Sequence, residues 1–255
     1  MKKILIFLLI FISIGSQAQI DSRSRISKEI LIYTRNGEGY VHDNIDASVK
    51  ALEEICKSIS VNTTVSNNPS IFESRKLMKF DAVIFSNTNN DAFLNEQQRE
   101  NFQAFIRSGK GFVGIHSACG SERNWPWYWS MLGGKFVRHP KFQEFDIKVI
   151  DPDHISTREL PKTWKWEDEC YYIDHLNPAI HVLLAADLTT ITDEKRNVYP
   201  GTVFGDLFPL AWFNEFEGGK IWYTALGHNI EHYEDVNFRN HLEGGILWVL
   251  GEEKK

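Results

Sequence analysis

Five places in the chain concentrate side chains that can move protons or hold a metal: His42, His116, His139, the pair Asp168-Glu169, and His228. Imidazole titrates near neutral pH, so each histidine can serve as general acid or base. A carboxylate beside one can orient it, take its proton or bind a metal. His116 and His228 stand out by context. Each directly follows an apolar stretch and has a glycine within two residues, Gly114 and Gly227, which makes it a poor core element. Glu169 lies in the aromatic-acidic stretch Trp166-Glu167-Asp168-Glu169-Cys170-Tyr171-Tyr172. We therefore assign proton transfer to His116, Glu169 and His228, and to His42 and His139 the orientation of substrate or the completion of a metal site. Structural alternatives exist for several of these residues. His42 could help cap a helix at Asp43, His139 could shape a turn before Pro140, and Glu169 could pair with a surface lysine. His154, His175, His181, His232 and His241 occupy less distinctive contexts and read as structural or exposed. No metal motif of fixed spacing occurs, neither His-Glu-x-x-His nor Cys-x-x-Cys. A site assembled from distant segments could still use His116, His139, Glu169 and His228, because zinc accepts imidazole nitrogen and carboxylate oxygen.

The elements that must position these residues follow from periodicity. Gly109-Lys110-Gly111 is a turn, and Phe112 to Ile115 reads as a buried parallel strand whose carboxyl end opens at His116. In Gly114-x-His116-x-Ala118 the histidine occupies the apex of a sharp strand-to-helix turn, the elbow that G-x-S-x-G enzymes use to expose a nucleophile. Ligands bind at that end of the strands in open α/β sheets. Glu29 to Thr34, Val61 to Val65 and Asp81 to Ser86 are further strands. Helices are expected from about Asn44 to Ser58, with Ile45, Val49, Leu52 and Cys56 on one face, and from Asn95 to Ser108. Ile71 to Phe80 is amphipathic without a clear period. Strands alternating with helices argue a parallel sheet covered on both faces. Beyond Ala118 the texture changes, with strands at Phe142 to Val149 and Ile180 to Ala186. A hairpin joins Pro209–Phe213 to Lys220–Thr224 across Glu217-Gly218-Gly219, and a closing helix spans Val236 to Leu250.

The net charge of −6 without a Lys/Arg cluster argues against nucleic acid or an anionic membrane as partner. Three cysteines are too few for a disulfide framework. Residues 1–18 read as a secretory signal peptide: Lys2-Lys3, an apolar run from Ile4 to Ile14, and Ser16-Gln17-Ala18 as cleavage site. The run is shorter than the ~20 residues that span a bilayer. Residues 19–27 form a flexible lead-in, and 28–252 one α/β domain, exported to the periplasm. No G-x-G-x-x-G follows the first strand, so neither nicotinamide nor flavin is expected. Eight tryptophans and eight tyrosines suit a sugar site as well as a core.

In order along the chain, Gly111-Phe112-Val113-Gly114-Ile115-His116-Ser117-Ala118, Trp125-Pro126-Trp127-Tyr128, Gly133-Gly134 with Phe136 and His139-Pro140, Trp164 to Tyr171, Trp222 to His228, and Gly244-Gly245-Ile246-Leu247-Trp248 resemble the ThuA (trehalose utilisation) family of the class I glutamine-amidotransferase-like superfamily. The resemblance spans about Glu29 to Gly251. It implies a flavodoxin-like, doubly wound and mostly parallel sheet. It also implies that His116 replaces the superfamily's elbow cysteine, so glutaminase chemistry should be absent. The family is linked to sugar catabolism alongside sugar oxidoreductases. Phe208 stands where the family usually has a histidine, which removes one candidate ligand, and Cys170 stands where an aromatic is usual. The expectation is a periplasmic enzyme acting on a keto-sugar or disaccharide, with Trp125, Trp127, Tyr171 and Trp212 lining the pocket. A sugar oxidoreductase is the expected pathway partner and a divalent metal such as zinc the candidate cofactor. The competing expectation is a non-catalytic carbohydrate-binding or scaffold protein. The two differ in whether the ionisable groups converge.

Overall fold

The computed structural model of the chain describes residues 27–196 and 205–252. The leader assigned to residues 1–18 and all but the last residue of the lead-in lie outside the described residues. No described helix is long and apolar enough to cross a membrane.

The apolar runs at Glu29–Tyr33 (β1), Ala82–Ser86 (β3) and Gly111–Ile115 (β4) form the middle of the parallel half of a nine-stranded sheet. β3 and β4 are buried along their whole length, as strands covered on both faces must be. β1 pairs in parallel with Asn62–Ser66 (β2) on one side and with β3 on the other. β4 pairs in parallel with β3 and with Gly219–Thr224 (β11). The resulting order, β2-β1-β3-β4-β11, reverses between β1 and β3, and a crevice opens at such a reversal.

Alternation along β4 shows how the faces are covered. The Phe112 ring packs against Phe102 of helix α2 (Glu96–Arg107) and Tyr128 of helix α3 (Pro126–Leu132). A Cβ at Gly114, on the same face, would lie 2.9 Å from Leu132. One at Gly111, on the opposite face, would lie 2.9 Å from Val249 of helix α4 (Val236–Leu250). Helix α1 (Ile45–Ser58) packs against α4.

The mostly parallel sheet expected from sequence is in fact mixed. Beyond β11 the order continues through Leu207–Phe216 (β10), His181–Asp187 (β9), Gln143–Val149 (β6) and Thr163–Asp168 (β7), all antiparallel. For β10 and β11 the reason is local: they are joined by a tight turn that cannot make a parallel crossover. Glu217 and Gly218 both have positive φ (47° and 95°), as a twist-matched hairpin turn requires. Two short strands, Lys135–Arg138 (β5) and Tyr172–Asp174 (β8), form a separate antiparallel pair. The segment from Ile71 to Phe80 falls largely within two 3-10 turns, Pro69–Phe72 and Arg75–Lys79. Helix α1 is capped at Asn44 and not at Asp43, without a side-chain cap bond, and its buried face is Ser48, Ala51, Leu52, Ile55 and Cys56.

Candidate active site

β4 ends in a strained elbow. His116 has φ 50°, a left-handed conformation that a non-glycine residue adopts only when its surroundings impose it. A 3-10 turn, His116–Gly120, follows in place of the α-helix expected there, so Ser117 lies within the turn and caps nothing. The His116 ring is fully buried. Its Nδ1 is 2.8 Å from the Ala225 carbonyl, which can only accept, so Nδ1 carries the proton and Nε2 presents a lone pair.

That lone pair is the focus of the site. His42, from the β1–α1 connection, places Nε2 at 3.2 Å from it. His228, just beyond β11, places Nδ1 at 3.4 Å, and Glu169, just beyond β7, places Oε2 at 3.8 Å. His228 Nδ1 and Glu169 Oε2 are 3.2 Å apart. One ligand atom from each of His42, His116, Glu169 and His228 lies within 4.8 Å of every other. Tyr171 donates its hydroxyl to His116 Nε2 at 2.8 Å, and Ser117 Oγ is 3.3 Å from His42 Nδ1. His139 stands outside this group. Its Nε2 reaches the other oxygen of Glu169 at 3.4 Å, and its Nδ1 donates to the Pro140 carbonyl at 2.8 Å. The group opens into a cavity of about 280 Å³ rimmed by Tyr40, Asn89, Arg123 and Phe136.

Burial, aided by the neighbouring imidazoles, holds His116 well below its ordinary range and His42 down at about 4, so both rings are neutral. Burial also pulls His228 down, but the hydrogen bond and charge of Glu169 outweigh it, and its pKa is raised. For Glu169 burial pulls upward, and the hydrogen bond from His228 with the charge of His139 more than offsets it, leaving a lowered pKa.

The structure thus brings His116, Glu169 and His228 together with Tyr171, and it separates the two histidines expected to orient substrate or complete a metal site. His42 sits among the converging ligand atoms. His139 buttresses Glu169 from outside. Three tryptophans need correction, because none lines the cavity. Trp212 is fully buried and donates to the Leu132 carbonyl at 2.7 Å. Trp127 donates to Glu217 at the β10–β11 turn. Trp125 stacks on Trp127 and meets Phe93 edge-on, against the core. The aromatic walls are Tyr40, Phe136 and Tyr171.

The groups that fix these positions were less legible in advance. Asp168 is fully buried. Its Oδ2 accepts from Trp166 Nε1 (2.8 Å) and the Gly227 amide (2.9 Å), and its Oδ1 from the Glu169 amide (2.7 Å). It therefore joins the two segments that carry Glu169 and His228. Burial pushes its carboxyl up, against the pull of His232 and these donors. Asn44 Nδ2 bonds the carbonyls of Gly227 (2.7 Å) and His228 (2.6 Å). Tyr233 donates to Gly227 O and accepts from Asn87. Adjacency to His42 and Glu169 was the available signal for Asn44 and Asp168.

Comparison with known proteins agrees with this fold. The family profile described as trehalose utilisation, ThuA, matches residues 29–249. A ThuA-like protein from Bacteroides uniformis ATCC 8492 superposes with a TM-score of 0.68 at 22% identity, over 89% of this chain and 93% of that one. A ThuA-like protein from Parabacteroides merdae ATCC 43184 gives a TM-score of 0.71 at 19% identity, over 90% and 92%. The cytoplasmic protein STM3548 from Salmonella typhimurium shares the fold more distantly, with a TM-score of 0.58 at 11% identity over 86% and 98%. No curated protein matches the chain. With the profile covering nearly all of the described residues, the chain belongs to the ThuA family.

Proposed function

We propose that this protein is an exported enzyme of carbohydrate catabolism. It would act on a keto-sugar or disaccharide by histidine–carboxylate acid–base chemistry, with a divalent metal such as zinc. The observation that carries the reading is the convergence of four ligand atoms on one point. Tetrahedral zinc with bonds of about 2.0–2.2 Å needs ligand atoms roughly 3.3–3.6 Å apart. Four of the separations here are 3.2, 3.4, 3.2 and 3.8 Å. Lone pairs of neutral imidazoles facing one another repel unless a proton or a cation lies between them, and the nitrogen-rich donor set suits zinc. His116 donates Nδ1–H to a carbonyl, the outer contact that orients a metal-bound histidine. His42, His116, His228 and Glu169 would hold the ion.

A divalent ion held by these residues would supply Lewis acidity to a carbonyl oxygen that enters as a further ligand. The chain's own groups supply the rest. Tyr171 places its hydroxyl 2.8 Å from His116 Nε2, and once that nitrogen is given to the ion the hydroxyl proton is available to a developing oxyanion. His139 and Glu169 Oε1 form a pair through which a proton can pass between the site and solvent, since the His139 side chain is 35% exposed. Buried Tyr171 and half-buried Phe136 exclude water on one side. Nothing in the site resembles a thiolate nucleophile: Cys119 is buried and its thiol pushed up to about 12, which favours a reaction other than glutaminase. The order β2-β1-β3-β4 with helices on both faces supports a flavodoxin-like, doubly wound ancestry for the parallel half. A sugar oxidoreductase would supply the keto-sugar.

Metal analysis of the purified protein, with turnover of keto-disaccharides by wild type and by H116A, E169A and H228A, tests the reading. Folded variants with turnover reduced at least ~10²-fold are expected. Folded variants retaining full activity would reject it.

A further inference from the structure

Arg123 stands at the mouth of the cavity with a guanidinium that is held but not neutralised. Its Nε donates to the Gly120 carbonyl at 2.9 Å and its Nη2 to Asn89 Oδ1 at 3.3 Å, while its Cζ lies 5.4 Å from the centre of the Phe136 ring. These bonds occupy two of the five N–H donors. Among the described residues no carboxylate lies within ion-pair distance of it. Arg99, Arg107, Arg138 and Arg239, by contrast, each pair with an acid at 3.0 Å or less. The cavity's own carboxylate, Glu169, is already engaged by His228 and His139.

The loop beneath Arg123 is built to hold it there. Glu122, buried and at φ 48°, accepts from the Phe93 amide at 3.0 Å and pairs with Arg99 at 2.8 Å. Its own amide donates to Asn90 O at 2.8 Å. A Cβ at Gly120 would come within 2.7 Å of Asn89 Oδ1 and 3.2 Å of Arg123 Nη2, so only glycine lets the guanidinium lie across this turn.

We propose that Arg123 is a specificity-determining residue that receives a carboxylate of the substrate, so that the preferred ligand is a sugar acid. A planar fork with free donors, fixed in advance at a concave site, is the geometry that recognises a carboxylate bidentately. The inference rests on the reading of the cavity as a sugar site and adds the charge of the ligand to it.

The test is calorimetric binding to the purified full chain of matched methyl hexuronides and methyl hexosides, in the gluco and galacto series. The members of each pair differ only in the carboxylate. At least one hexuronide should bind about tenfold or more tightly than its neutral partner, as a charge-assisted contact provides. R123Q should bring the ratio of hexuronide to neutral affinity to about one, and R123K should restore only part of that ratio, because lysine keeps the charge but not the fork. Equal binding of both members to wild type, or a preference that survives in folded R123Q, overturns the role of Arg123 and leaves the sugar site standing. Binding of no sugar in either series overturns the sugar-acid preference, while turnover of keto-disaccharides decides the sugar reading separately. If R123Q does not fold, the wild-type preference and its partial retention in R123K decide.

Discussion

Acidification should weaken zinc binding with the slope of one proton, not three. Free imidazoles titrate near 6.5, so three ordinary histidine ligands would surrender up to three protons to the metal below that pH. Affinity would then fall by as much as ~10⁴ between about pH 6.5 and 5. In this site burial keeps His42 near 4 and His116 well below its usual range, so both arrive without a proton to displace. Glu169, lowered by His228 and His139 against the pull of burial, is ionised across the same interval. Only His228, raised by Glu169 despite its burial, carries a proton that the metal must expel. Affinity should therefore drop about tenfold per pH unit, or roughly 30-fold over that interval, and steepen only as pH approaches about 4. Competition against a chromogenic chelator gives the slope. Calorimetry in buffers of different ionisation enthalpy counts the protons directly and should find about one near pH 5.5. A slope of two or three would show that the buried histidines are not preorganised as neutral ligands. Failure to bind zinc at neutral pH would remove the metal from the mechanism.

D168N should lower zinc affinity and turnover by roughly 10–100-fold and cost about 2 kcal/mol of stability. The amide would turn a donor toward the N–H groups of Trp166, Gly227 or Glu169, and chelator competition with urea unfolding reads both effects. W212F should cost about 2 kcal/mol, because it leaves the Leu132 carbonyl buried without its donor, while sugar affinity stays at the wild-type value; a selective loss of binding would return Trp212 to the pocket. Stability should fall as pH drops below about 6.5. His241, fully buried and held down to about 3, takes up a proton in the unfolded chain before the folded one, so the unfolded state binds more protons between these values. Urea midpoints across pH 7 to 4 should decline, and H241N should flatten the decline by about one proton, or ~1.4 kcal/mol per pH unit.

What could be read from the chain and what could not divide along a physical line. The elbow at His116 and the station at His228 were legible because each follows a buried run, and the carboxyl ends of parallel strands face one edge. The hairpin at Glu217-Gly218 and the closing helix were legible from local turn chemistry and periodicity. The antiparallel half was not, because strand order beyond β11 depends on pairings between segments distant in sequence. For the same reason the separation of His42 from His139 had no local sign. Trp212 misled because a tryptophan serves a core or a sugar face equally well, and only burial on both faces of β10 separates the two. Asp168 was within reach. β7 alternates exposed and buried residues, with Trp164 and Trp166 inward, and continuing that alternation points Asp168 inward before Glu169 turns to the cavity.

The converging ligands also have unequal origins. His42, His116 and His228 issue from the parallel half, while Glu169 arrives from the end of β7, the opposite margin of the sheet, and is anchored there by Asp168 to the Gly227 amide. The cavity is therefore a seam, and its geometry registers how the two halves of the molecule are seated on one another. A substitution in the β6–β7 hairpin, touching none of the histidines, can still move the single carboxylate of the group. Drift at a remote edge thus offers a family with this architecture a means to retune its reaction while the histidine cluster stays unchanged.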